Sequence, residues 1–170
     1  MWLGRQEFLE VVERTPLVSI DLIVRRRDGA VLLGKRTNEP AKGCWFVPGG
    51  RICKDERIEA AFRRICVAEL GREFNVNNAR FMGVFEHFYP TNFAEQAGIS
   101  THYIVLAHEL NSIDLPDQLP ADQHGEYRWF DTKTLLATAE IHAHTKAYFM
   151  AEAAPVNGTA GKPASPRPWG

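Results

Sequence analysis

Residues 45–71, WFVPGGRICKDERIEAAFRRICVAELG, constrain the fold more tightly than any other stretch of the chain. They read as a strand end, a Pro-Gly-Gly turn, a short polar loop and a helix. Asp55 is expected to cap the helix start, and Gly71 stands where a left-handed C-terminal cap belongs. On a helical projection Ile58, Phe62, Ile65 and Cys66 form one apolar stripe, and Glu69 falls within it. A carboxylate there is costly twice. It aims at the core, and it lies near the negative end of the helix dipole. Something positive must offset that cost, and a bound divalent metal ion does so best.

Composition bounds the class. With 170 residues, 45% of them hydrophobic, the chain is expected to form one globular domain. A formal charge of −1 provides no basic field to draw in nucleic acid or an anionic membrane. The three cysteines, Cys44, Cys53 and Cys66, form no CxxC pair and are odd in number, which points to a reducing cytoplasm rather than a disulfide framework. The opening MWLGRQEFLEVVER is charged and helical in pattern, unlike a signal peptide, and no window approaches a membrane span. The expectation is a soluble cytoplasmic protein. Residues 1–152 are expected to be the domain. Residues 153–170, rich in Pro, Gly, Ala and Ser, are expected to be a disordered tail.

Around the central stretch, Phe8, Val11 and Val12 predict a short helix closed at Thr15-Pro16. Leu17 to Val24 alternates as a strand, with Val18, Ile20, Leu22 and Val24 on one face and Ser19, Asp21 and Ile23 on the other. Asp28-Gly29 marks a tight turn, and Ala30 to Lys35 returns as a second strand. Further strands are expected over Phe81–Phe88, Thr101–Ala107 and Tyr127–Phe130, with a polar loop, LPDQLPADQHGE, before the last. Asp131 is expected to cap one closing helix over residues 132–152. The pattern indicates an α/β (α+β) fold, a mixed β-sheet sandwiched between α-helices, with ligands at strand ends and adjoining loops.

Read alone, several residues admit two roles. Gly49-Gly50 is either a tight turn or a place where backbone carbonyls approach a cation. Glu56 is a helix N-terminal acid, and an ion pair with Arg64 suits it better than metal binding.

GGRICKDERIEAAFRRICVAELG resembles the Nudix box, the loop–helix motif that holds a divalent metal against a nucleoside diphosphate. Gly50, Glu56, Arg64, Glu69 and Gly71 fall on its fixed positions. Two positions that usually carry glutamate hold Ile65 and Ala68 here. The segments TPLVSIDLIV, LLGKRTNEPAKGCWFVPGGR, HFYPTNF, STHYIVL and DQHGEYRW extend the resemblance to about residue 152. Together they are similar to the GDP-mannose mannosyl hydrolase family, a Nudix branch with the same depleted box. That family cuts the bond between the anomeric carbon and oxygen, releasing GDP and an inverted sugar.

The resemblance implies a metal site made by the carbonyl of Gly49, the carboxylate of Glu69 and the side-chain oxygen of Gln123. An all-oxygen site suits Mg²⁺, or Mn²⁺, one ion per subunit. It makes His124 the general base, since a pKa of ~6.5 leaves histidine mostly neutral at cytoplasmic pH. By themselves Gln123 and His124 would be loop surface. Arg36, with Arg51 and Arg64 in support, would neutralise the departing diphosphate. Asp21, unexpected in an apolar strand, would stabilise positive charge on the sugar. His87 and Tyr103 would line the same cavity; their plain readings are a core histidine and a strand tyrosine. Trp2, Leu3 and Phe8 match nucleotide-contacting positions, and the family implies a homodimer. His102, His108, His142 and His144 match nothing catalytic and read as structural. Two competing readings are a pyrophosphohydrolase that attacks phosphorus and a catalytically silent module that binds GDP-sugars.

Overall fold

The computed structural model describes residues 3–111, 113, 115–116, 118–120 and 124–153, with backbone alone for residues 124 and 151–153. Its axis is β1 (Leu17–Arg25), an almost unbroken apolar strand buried on both faces. Such strands belong inside mixed sheets covered on both sides. β1 runs parallel to β6 (Thr101–Asn111), in register from Leu17↔Tyr103 to Arg25↔Asn111. Its other edge is shared. β4 (Gly49–Arg51) pairs antiparallel with Ser19, Ile20 and Asp21, and β2 (Val31–Arg36) meets it at Arg25↔Val31. β2 also carries β3 (Trp45–Phe46) and β7 (His124–Phe130), while β5 (Arg80–Tyr89) forms the edge beyond β6.

Side-chain alternation along β1 and β2 sends successive residues to opposite cores. Ile20, Leu22, Val24 and Leu32 pack under helix α2 (Ile58–Leu70), against Phe62, Ile65, Cys66 and Leu70. Ile23, Val31 and Leu33 pack on the other face with Leu135 of helix α3 (Thr132–Ala137) and with Tyr148 and Phe149 of helix α4 (Ala143–Ala153). Helix α1 (Arg5–Arg14) ends at Thr15, as expected before Pro16, and buries Leu9 and Val12. The expected sandwich is the observed one. No helix among the described residues is long and apolar enough to cross a membrane.

Five local expectations change. Asp55 does not cap α2: it has a left-handed backbone, φ 64°, and pairs with Lys54, while the N-cap is Arg57 with no side-chain cap bond. Ile58, placed in the buried stripe, is 48% exposed because it sits at the first turn, beyond the sheet. The single closing helix is two. Between them the backbone pairs with β3, as Trp45 N–H donates to Glu140 O at 3.0 Å and His142 N–H to Trp45 O at 3.2 Å. Those bonds take the groups a continuous helix would need. Finally, His124, Gly125 and Glu126 are strand and not loop, because β7 pairs back to Arg36 and Lys35 of β2. β6 likewise runs to Asn111, past the expected end at Ala107.

Candidate active site

β1, β4, β5 and β6 meet at one end of the sheet, and a polar cavity opens there. Its wall includes Ser19, Asp21, Arg36, Gly49, Gly50 and Arg51, with His87 and Tyr89 from β5 and Tyr103 from β6. Phe46, Val47 and Pro40 complete it. Six residues singled out by sequence (Asp21, Arg36, Gly49, Arg51, His87 and Tyr103) therefore share one cavity.

Register explains the assembly. His87 lies opposite Tyr103 across β5 and β6, and Asp21 lies opposite Gly49 across β1 and β4. A Cβ at position 49 would stand 2.6 Å from Asp21 Oδ1 and 2.7 Å from the Ile20 carbonyl oxygen. Only glycine fits there, and its bare backbone leaves the room in which the carboxylate sits. On the other side Asp21 faces Ala107, again a small residue.

Asp21 is 7% exposed, and its pKa rises to about 7. Burial is the main cause, with the Glu69 charge adding to it; a hydrogen bond from Tyr148 and the Arg36 charge pull the other way. His87 is 3% exposed, and burial, followed by the neighbouring His144 and His142, pushes its pKa down to about 3. It is a neutral imidazole. Burial also raises the Tyr103 phenol, against the pull of Arg51 and Arg36.

The cations are held in place. Arg36 Nε donates to Pro40 O at 2.9 Å, and the guanidinium lies 5.8 Å from the centre of the Phe46 ring. The Arg51 guanidinium stacks 3.9 Å above Phe8. Phe8, expected near the nucleotide, thus borders the cavity through Arg51; Leu3 is 48% exposed and is not part of its wall. Arg64 does not line the cavity either. It binds both Glu56 oxygens at 2.7 and 2.8 Å and donates to Arg51 O at 2.8 Å, so it braces the end of β4, where Arg51 stands. The expected Glu56–Arg64 ion pair is formed, and it pulls the Glu56 carboxyl down to about 2.

Glu69 is 3% exposed on the sheet-facing side of α2, where the stripe placed it. Ile65 beside it is fully in the core, and Ala68 faces outward. Two buried carboxylates, Glu69 and Asp21, lie within electrostatic reach of each other, and the Gly49 backbone lies against Asp21. That hard oxygen donor set fits a divalent cation, whose charge would relieve the repulsion. Among the described residues no three His, Cys, Asp or Glu side chains converge to hold a metal. Gln123 and Trp2 lie outside the described residues. The backbone of His124 pairs with Arg36, at the cavity wall.

Sequence reasoning missed Tyr89, Phe46 and Tyr148. It also set aside His142 and His144, which pack around His87 and Tyr89. Tyr148 did leave a signal: a tyrosine buried beside Phe149 needs a partner for its hydroxyl.

The NUDIX domain family matches residues 15–152. The low-salt glycan biosynthesis protein Agl8 of Haloferax volcanii is 43% identical over 127 residues, 74% of this chain and 77% of that protein. Among solved structures, a MutT protein from Methanosarcina mazei Go1 superposes with a TM-score of 0.62 at 20% identity, over 81% of this chain and 94% of that one. A MutT NUDIX hydrolase from Burkholderia pseudomallei gives 0.60 at 25% identity, over 79% and 96%. The match over most of the length and the sandwich around β1 agree: the chain belongs to the NUDIX family.

Proposed function

We propose that the protein is a cytoplasmic GDP-mannose mannosyl hydrolase, which also accepts GDP-glucose, and that it acts as a homodimer. The observation that carries this reading is the shared cavity, where Asp21, Arg36, Arg51, His87 and Tyr103 meet while box positions 65 and 68 bear Ile and Ala. Attack on phosphorus is usually served by a cluster of carboxylates holding several metals. A depleted box beside a buried acid suits chemistry at carbon instead. Similarity to a protein named for glycan biosynthesis is in keeping with a sugar-nucleotide substrate.

In this reading His124 removes a proton from water as it attacks the anomeric carbon. The carbon–oxygen bond breaks with both electrons on the diphosphate, and the sugar leaves inverted. Asp21 faces the sugar, where a carboxylate opposes developing positive charge. Arg36 and Arg51 neutralise the leaving GDP, and Arg64 holds the backbone at Arg51. His87 and Tyr103 orient sugar hydroxyls, and Trp2, Leu3 and Phe8 contact the nucleotide. The Gly49 carbonyl, Glu69 and Gln123 would hold one Mg²⁺, or Mn²⁺, which supplies further positive charge to the diphosphate.

Family membership alone also fits a pyrophosphohydrolase, so the bond cleaved must be tested. Turnover of GDP-mannose in ¹⁸O-water is expected to label mannose and leave GDP unlabelled. Label in a phosphate would establish attack at phosphorus, and tight GDP-mannose binding without turnover under Mg²⁺ or Mn²⁺ would indicate a silent binding module.

A further inference from the structure

Tyr148, 3% exposed, reaches from α4 to two strands at once. Its hydroxyl donates to Asp21 Oδ2 at 2.6 Å and stands 3.2 Å from His87 Nε2. A phenol has one proton. When Asp21 is ionised it can only accept, so the phenol proton points to it, only lone pairs face His87, and Nε2 carries the imidazole proton and donates it. His87 then keeps a bare Nδ1.

The surroundings lock the arrangement. His144, also on α4, stacks on His87 at 4.2 Å with the rings 7° from parallel, and is itself tied to Phe88 O at 3.1 Å through Nε2. Phe46 meets His87 edge-on at 6.0 Å, and Phe85 meets Tyr148 edge-on at 4.7 Å. The closing helix thus contacts two residues of the cavity wall, Asp21 and His87, although none of its own residues lies in the Nudix box.

We propose that Tyr148 is a positioning residue of the active site: one phenol from the closing helix fixes both the Asp21 carboxylate and the Nε2–H form of His87. The proposal rests on the glycosyl-transfer reading of the cavity. Without Tyr148 the carboxylate can rotate away from the sugar and His87 can exchange tautomers.

Two measurements test it. Side-chain ¹⁵N NMR of the wild-type protein at about pH 8, where Asp21 is ionised, with His87 assigned through a His87→Asn variant, is expected to show the proton on Nε2; a proton on Nδ1 overturns the proposal. Tyr148→Phe is expected to lower kcat roughly 10–100-fold, as loss of a residue that orients a functional group typically does. KM for GDP-mannose should stay within about threefold, because binding contacts are kept. An unchanged kcat, or a loss confined to KM, overturns it. If Tyr148→Phe fails to fold, the wild-type tautomer decides. If the wild type releases no GDP from GDP-mannose, the functional reading fails, and Tyr148 is still judged by the tautomer.

Discussion

At Asp21 the cost of burial is greatest and the chemistry closest. In the metal-free protein its pKa lies near 7, above the ordinary 3.8 of the unfolded chain. Between those values the folded state keeps a proton that the unfolded state has lost, so this contribution to stability is full at low pH and disappears as pH rises through 7. With chelator present, raising pH from 5 to 8 should cost the wild type about 2–3 kcal/mol relative to Asp21→Asn, from roughly two pK units of linkage. Urea unfolding of both proteins at the two pH values checks this, and parallel curves would refute it. His124 makes a kinetic prediction. His124→Gln should lower kcat by on the order of 10²–10⁴, the usual worth of a general base, with KM nearly unchanged. Equal losses in kcat and affinity would assign it a binding role. Asp21 and Glu69 were legible because a charged residue breaks an apolar period. Tyr148 was less so, since a tyrosine in an apolar helix face satisfies the pattern and conceals its hydroxyl.

Helix α2 and the turn before it hold two glutamates with opposite duties, Glu69 and Glu56, which makes this the place to separate structure from chemistry. Glu56 precedes the helix, accepts from Cys53 N–H at 2.9 Å and holds Arg64; Glu69 is buried within electrostatic reach of Asp21. Glu56→Gln should lower stability by about 1–2 kcal/mol, the range for hydrogen bonds to a charged group after discount for the partly exposed arginine. It should leave Mn²⁺ affinity close to wild type. Glu69→Gln should abolish most Mn²⁺ binding and metal-dependent turnover. Calorimetric titration with Mn²⁺ reads both, and a Glu56→Gln protein that no longer binds metal would reverse the assignment. The helix end was legible because Gly71 takes φ 69°, a conformation most side chains avoid. The helix start was not. Arg57 has no capping side chain, so the polar residues before it gave no reliable mark. The break between α3 and α4 was hidden as well, because its cause is pairing to Trp45, far away in sequence.

At the level of the whole molecule, the homodimer is open to test. The outward side of the edge strand β5 shows Phe81, Val84 and Phe88 at 54%, 59% and 61% exposure, more apolar surface than isolated side chains would present. Sedimentation velocity should find a particle of twice the chain mass at micromolar concentration; a monomer there would rule the dimer out. The sandwich with α2 on one face was readable from the chain alone, because strand and helix periods and the box signature are local and each needs only neighbouring residues. The buried position of Glu69 and the ion pair of Glu56 followed from the same short-range logic. What only the tertiary structure decided is which distant residues meet. The parallel register of β1 and β6, the pairing of Asp21 with Gly49, and the reach of Tyr148 to Asp21 and His87 join segments up to 127 residues apart. No local period encodes those distances. They follow from closing the sheet and seating α4 on it, where a buried carboxylate and a buried phenol can satisfy each other.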